Sequence, residues 1–147
     1  MAARYVPDRG DVVWIEVNPQ AGHEQAGRRP ALVVSPAAYN RKVGLALLCP
    51  ITSRAKGYPF EVAMPSGLKV SGVVLSDHVK NLDWAARKAT YECKLSRATV
   101  SEVLEKLGTL LAAWREWVNE PLQPTAGNWL LRPSSLRSSW RAGSRGG

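Results

Sequence analysis

Arg29, Thr52, Ser53 and Trp84 raise the question of chemistry. Each stands at the edge of an apolar run or in a loop beyond one, where a rigid element would hold it. Arginine presents a planar fork of donors matched to a phosphate. A threonine or serine hydroxyl adds another donor, and an indole is a flat platform for an unpaired base. These types suit attack of a ribose 2′-hydroxyl on the adjacent phosphorus. The hydroxyl must lose its proton, the departing 5′-oxygen must gain one, and fixed donors and cations must hold the phosphorane charge. Each residue also has an ordinary use: Thr52 as a strand-end turn residue, Trp84 as a core or interface anchor, Arg29 as a solvated charge.

More polar residues gather in the same kinds of place. Glu24, Gly27 and Arg28 precede Arg29; Arg41 and Lys42 follow the second apolar run; Arg54 and Lys56 follow the third. Asp77, His78 and Lys80 follow the fifth, with Arg87 beyond. Asp77 could cap a turn or pair with a lysine as readily as serve a reaction. A guanidinium stays protonated far above neutral pH, so Arg29 is a poor base. Its expected role is to hold phosphorane charge and donate to the 5′-oxygen. Cys49, Cys93, His23 and His78 lack metal-ligand spacing, and a metal needs four convergent ligands or three plus water. The expectation is no metal and no cofactor.

The elements that must position these groups are short. "DVVWIEVN" (11–18) alternates, with Val13, Ile15 and Val17 on one face and Val12, Trp14 and Glu16 on the other. "PALVVS" (30–35), opened by Pro30, "GLALLCPI" (44–51), "PFEVAM" (59–64), "GVVLS" (72–76) and "ATYEC" (89–93) follow, separated by turn signals that include "YNRKVG" and the 81–83 region. The spacing predicts a small barrel or sandwich. From Ser96 the period changes: Val100, Val103, Leu104, Leu107, Leu110, Leu111 and Trp114 mark one helix face, with Ser96 as its N-cap. Residues 1–117 are expected to form one domain. Residues 118–147, rich in Pro, Ser, Gly and Arg, are expected to form a disordered basic tail. The net charge of +8 suits nucleic acid or an acidic protein partner. No apolar run approaches the roughly 18 residues of a membrane span, and the first residues show no signal-peptide core. The expected location is the cytoplasm, with no membrane partner.

The motif Pro-Asp-x-Gly-Asp at 7–11 is followed by Glu-Gln-Ala-Gly-x-Arg-Pro-Ala at 24–31, then "YN" at 39–40, "TS" at 52–53, "KGYPFEV" at 56–62 and "SDHVKNLDWAAR" at 76–87. In these, from about Arg4 to Leu111, the chain resembles the PemK/MazF toxins of bacterial toxin–antitoxin systems. The resemblance implies a mainly β, α+β fold: a curved antiparallel sheet like an SH3 barrel, of the type shared with CcdB, and a C-terminal helix. It implies a homodimer and a sequence-specific, metal-independent endoribonuclease. Such enzymes cut single-stranded mRNA to 2′,3′-cyclic phosphate and 5′-hydroxyl ends, which stops translation and growth. A cognate MazE-like antitoxin with an acidic disordered tail would cover the RNA groove, and DNA would be reached only through that antitoxin.

By position, the family's catalytic arginine and threonine fall on Arg29 and Thr52. Glu24 matches an acidic residue of the loop over the site, where Gly27 would let the backbone approach a phosphate. Asn40, Ser53, Lys56, Asp77, Lys80 and Arg87 match positions along the RNA path, with a general base at Asp77 as an alternative. Arg28 and His78 depart from the closest family pattern, which has histidine and glutamine there, and so bear on which bases are read. The loop "MPSGLKVSG" also differs, and the tail has no counterpart. A gyrase-inhibiting toxin of CcdB type, or a nuclease-dead homologue, would share the fold without the cleavage chemistry.

Overall fold

The computed structural model describes residues 4–17 and 27–119, with side chains to residue 111. Glu24 and nearly all of the expected tail lie outside the described residues. The chain forms two compact units, residues 1–107 and 108–147. The elements are β1 (Asp11–Val17), β2 (Gly27–Val33), α1 (Ala37–Val43), β3 (Leu45–Thr52), β4 (Glu61–Ala63), β5 (Val73–Leu75), β6 (Lys80–Asp83), β7 (Thr90–Lys94) and α2 (Arg97–Asn119). The strands pair antiparallel in the order β4-β5-β3-β2-β1-β7, with β6 also on β3. The architecture is α+β as expected, but the sheet is open rather than closed as a barrel.

Alternation along β1 feeds two cores, one on each face of the sheet. Val13 and Ile15 pack with Ala31, Val33, Leu48 and Trp84. Val12 packs on the other face with Leu32, Cys49, Ile51, Val62 and Val74, joined by Leu95, Val100 and Val103. Each fully buried Val or Leu here contributes about 1.5–3 kcal/mol. The α2 cap is as expected: Ser96 Oγ accepts from the Thr99 amide at 3.3 Å. Val100, Val103 and Leu107 are buried, whereas Leu110 and Leu111 of the expected stripe are exposed. Lys106 Nζ donates to the Glu61 carbonyl at 2.8 Å, tying α2 to β4.

The Pro-Asp-x-Gly-Asp motif is a knot between elements. Asp8 Oδ1 accepts from the Ala37 amide (2.9 Å) at the start of α1. Buried Asp11 accepts from the Tyr5 hydroxyl (2.7 Å) and the Asp8 amide (2.9 Å) through Oδ2, and Lys94 Nζ stands 3.5 Å from its Oδ1. Gly10 adopts φ +95°, donates to the Val33 carbonyl and accepts from the Leu95 amide. One five-residue stretch thereby joins β1, β2, α1 and the chain after β7.

Three local expectations need correction. The segment 37–43 is a helix, not part of a turn: seven residues are too few to show a period, and its first amide is capped by Asp8 from far back in the sequence. The 80–83 segment is a strand, because β3 offers it an edge although Lys80, Asn81 and Asp83 are exposed and polar. Pro30 lies inside β2 rather than opening it. The Val34 amide donates to the Leu47 carbonyl, so even-numbered backbone groups of β2 face β3. Pro30 and Ile51 would be the next but one bonded pair, and proline has no N–H for Ile51. The β2–β3 ladder accordingly ends at Ala31–Pro50.

Pro50 does the same on the other edge of β3. The β3–β5 ladder runs from Thr52–Val73 to Ile51–Val74 and stops there. Pro50 cannot donate to the Leu75 carbonyl, which instead accepts from the His78 amide at 3.2 Å. That bond closes a turn with Ser76 and Asp77 at its centre, and the chain then returns to β3 as β6.

Candidate active site

The β2–β3 register pairs Val33 with Leu48, Leu32 with Cys49 and Ala31 with Pro50. Continuing it by two residues sets Arg29 opposite Thr52. Both positions lie on the face of Ala31 and Val33, just beyond the buried core and past the end of the ladder. Arg29 is exposed and Thr52 half-buried. Thr52 Oγ1 accepts from the Arg54 amide at 3.2 Å. The hydroxyl thus accepts along its own chain, and its O–H is still a donor in kind.

The chain beyond Thr52 forms an arm returning to β4. Lys56 and Gly57 donate their amides to the two carboxylate oxygens of Glu61, at 2.8 and 3.0 Å. Tyr58 donates its hydroxyl to Asp77 Oδ1 at 2.8 Å, and His78 Nε2 stands 3.8 Å from the same oxygen. Desolvation and the Asp77 carboxylate push the Tyr58 phenol up to about 12. Ser53, Arg54, Lys56 and Lys80 are exposed, so cationic and hydroxyl groups flank the arm while its acidic groups are taken up by donors. Burial pushes the Cys49 thiol up to about 12, which removes it as a nucleophile at neutral pH.

Several expected positions serve the scaffold. Asn40 is fully buried: its amide nitrogen donates to the Pro7 (2.8 Å) and Ser35 (3.1 Å) carbonyls, and its Oδ1 accepts from Ser35 Oγ at 2.5 Å. Its expected place on the RNA path is therefore corrected, since every polar atom of the amide is engaged inside. Trp84 is a core residue rather than a base platform, 8% exposed with its indole N–H donated to the Asn40 carbonyl at 3.1 Å. Arg28 lies on the opposite face from Arg29, where its guanidinium donates to the carbonyls of Trp14 and Lys88 at 3.1 Å and to the Thr90 hydroxyl. Arg87 donates to the Glu16 carbonyl at 3.2 Å. Gly27 opens β2 opposite Val17 and is exposed.

Gly72, Tyr58 and Glu61 are residues that sequence reasoning passed over. Gly72 adopts φ +114°, and a Cβ there would stand 2.9 Å from Ser53 Cα. A glycine opening an apolar run was the available signal, because it marks close backbone approach.

A family model for the PemK-like, MazF-like toxin of type II toxin–antitoxin systems matches residues 8–111. The chain belongs to that family. The endoribonuclease toxin MazF of Escherichia coli K12 is 45% identical to this PemK/MazF-family toxin over 111 residues, which are 76% of this chain and 99% of the relative. Escherichia coli endoribonuclease PemK is 36% identical over 71% of this chain and 81% of its own length. Among solved structures, a MazE–MazF crystal form from Deinococcus radiodurans has 59% identity and a TM-score of 0.71, covering 74% of this chain and 98% of that one. MazF of the same organism, crystallised alone, gives 0.67 at 59% identity, covering 74% and 99%. The family match takes in every described site residue of this toxin. Among its described residues no helix is long and apolar enough to cross a membrane.

Proposed function

We propose that this PemK/MazF-family toxin is a cytoplasmic endoribonuclease that cuts single-stranded mRNA at the Arg29–Thr52 end of its sheet. The 2′-hydroxyl gives up its proton to solvent water and attacks the adjacent phosphorus, the bond to the 5′-oxygen breaks, and that oxygen takes a proton from water, giving a 2′,3′-cyclic phosphate and a 5′-hydroxyl. Arg29 holds the phosphorane charge and donates toward the 5′-oxygen. Thr52 donates its O–H to a phosphoryl oxygen. Ser53, Lys56 and Lys80 hold the RNA backbone, and Gly27 borders the site from the β2 side. The observation that carries this reading is the facing register of Arg29 and Thr52 where the ladder has ended. The names of the relatives support the reaction, and the MazE–MazF structures support a cognate antitoxin as partner, acting on a homodimer of this chain.

The test is cleavage of a long single-stranded RNA with EDTA present. Discrete fragments ending in 5′-hydroxyl are expected, since the chemistry is assigned to side chains. Arg29→Ala should lower the rate by about 10²–10³ or more, the usual effect of removing a transition-state donor, with the thermal midpoint nearly unchanged. Cleavage by Arg29→Ala at close to the parental rate would sink the assignment. Fragments that vanish with EDTA would sink the metal-free mechanism.

A further inference from the structure

We infer that the Tyr58–Asp77 hydrogen bond is a latch that positions the arm beyond Thr52, making Tyr58 a positioning residue of the cleavage site and Asp77 its acceptor rather than a proton acceptor from RNA. The inference rests on the endoribonuclease reading of the Arg29–Thr52 site.

The arm begins at Thr52, the last residue of β3, and returns at Glu61, the first of β4. Its far end is fixed by Glu61, whose carboxylate takes the Lys56 and Gly57 amides, and by the Phe60 carbonyl, which accepts from the Ser76 amide at 3.1 Å. Between these, Tyr58 reaches across to Asp77 at 2.8 Å. Asp77 sits inside the turn that the His78 amide closes on the Leu75 carbonyl at the end of β5. That strand also pairs with Thr52 through Val73. Thr52 and Asp77 are therefore carried on one strand pair, and the latch ties the intervening arm to that rigid frame. The arm bears Ser53 and Lys56, so its position sets where the RNA backbone lies relative to Thr52. A positional error of about 1 Å at such a distance can cost on the order of 10²-fold in rate.

A carboxylate already accepting from a phenol has one oxygen occupied, and a base role would require that bond to be given up on each turnover. The two roles separate by substitution. Asp77→Asn keeps an Oδ1 that can accept from Tyr58 but cannot take up a proton as a base. Tyr58→Phe keeps the ring and removes only the donor. The latch predicts that Tyr58→Phe and Asp77→Ala each lower kcat/KM by about ten-fold, the scale of one hydrogen bond to a charged group. Combined, they should be no worse than either alone. Asp77→Asn should recover most of the loss seen with Asp77→Ala, and cut sites should blur in the variants that lack the latch.

Kinetics on a fluorescent single-stranded RNA, with thermal midpoints measured alongside, decide the matter. A fall of three or more orders of magnitude in Asp77→Asn, with Tyr58→Phe at the parental rate, would overturn the latch in favour of a general base. Parental kinetics and cut sites in both Tyr58→Phe and Asp77→Ala would overturn it outright. An unmodified protein that cuts no RNA would instead overturn the underlying endoribonuclease reading.

Discussion

A Cβ atom added to Gly72 would stand 2.1 Å from the carbonyl oxygen of Thr52 and 2.8 Å from its carbonyl carbon. The start of β5 thus lies against the backbone of a proposed catalytic residue with no room for a methyl group. Gly72 is also held at φ +114° and accepts from the Met64 amide at 2.9 Å.

Gly72→Ala should therefore displace Thr52 from its place opposite Arg29 as well as strain the loop. The expected outcome is a stability loss of about 1–3 kcal/mol from backbone strain and a larger fall in cleavage than in RNA affinity. Gly67→Ala is the matched control. Gly67 shares the positive φ, at +86°, yet nothing lies within 4 Å of its added Cβ. It should lose stability of about 1–2 kcal/mol and keep its cleavage rate per folded molecule. Equal effects of the two substitutions on that rate would refute the close-contact argument.

Arg28 should behave as a structural clamp. Its guanidinium joins the Trp14 and Lys88 carbonyls and the Thr90 hydroxyl, bridging β1 and the start of β7. Arg28→Ala is expected to lower stability by about 1–2 kcal/mol and to speed amide exchange at the β1–β7 edge. The slope of RNA affinity against salt should stay as in the parent, since a lost phosphate contact would reduce it. A shallower slope would return Arg28 to the RNA path.

Acid should loosen the N-terminal knot. The Ala37 amide is the main influence holding the Asp8 carboxyl below its ordinary value, against partial desolvation, with help from the Arg9 amide and Lys94. The folded protein then binds that proton less tightly than the unfolded chain. The resulting stability is present above the ordinary aspartate value and is lost as pH falls through the lower, folded one. Asp8→Asn should be less stable than the parent near neutrality, and the gap in thermal midpoint should narrow from roughly pH 5 toward pH 2. A gap independent of pH would mean that the Asp8 charge is not what stabilises the start of α1.

The sequence made the strong patterns readable. Alternation gave β1, the apolar runs gave β3 and β5, and Ser96 with its helical stripe gave α2. What it hid depends on partners distant in the chain. The 37–43 helix needs Asp8 to cap it, and β6 needs the free edge of β3. Asn40 and Trp84 read as polar and aromatic candidates, but the Asn40 amide is satisfied by Pro7 and Ser35 and Trp84 donates to the Asn40 carbonyl, all inside the core. Arg28 and Arg29 are neighbours of one type, yet strand geometry sends them to opposite faces. Only the register with β1 and β3 tells which of the two faces Thr52.

Pro30 also has a kinetic meaning. Two antiparallel strands ordinarily gain a bond wherever they can zip further, so an opening between them tends to shut. Here the next bond would have to come from an imide nitrogen that carries no hydrogen. Between Arg29 and Thr52 the β2–β3 ladder is consequently unpaired, although Arg29 still pairs with Ile15 and Thr52 with Val73. In the proposed reaction an RNA strand entering between Arg29 and Thr52 would have no β2–β3 ladder to break, so its association would carry no barrier from unzipping those two strands.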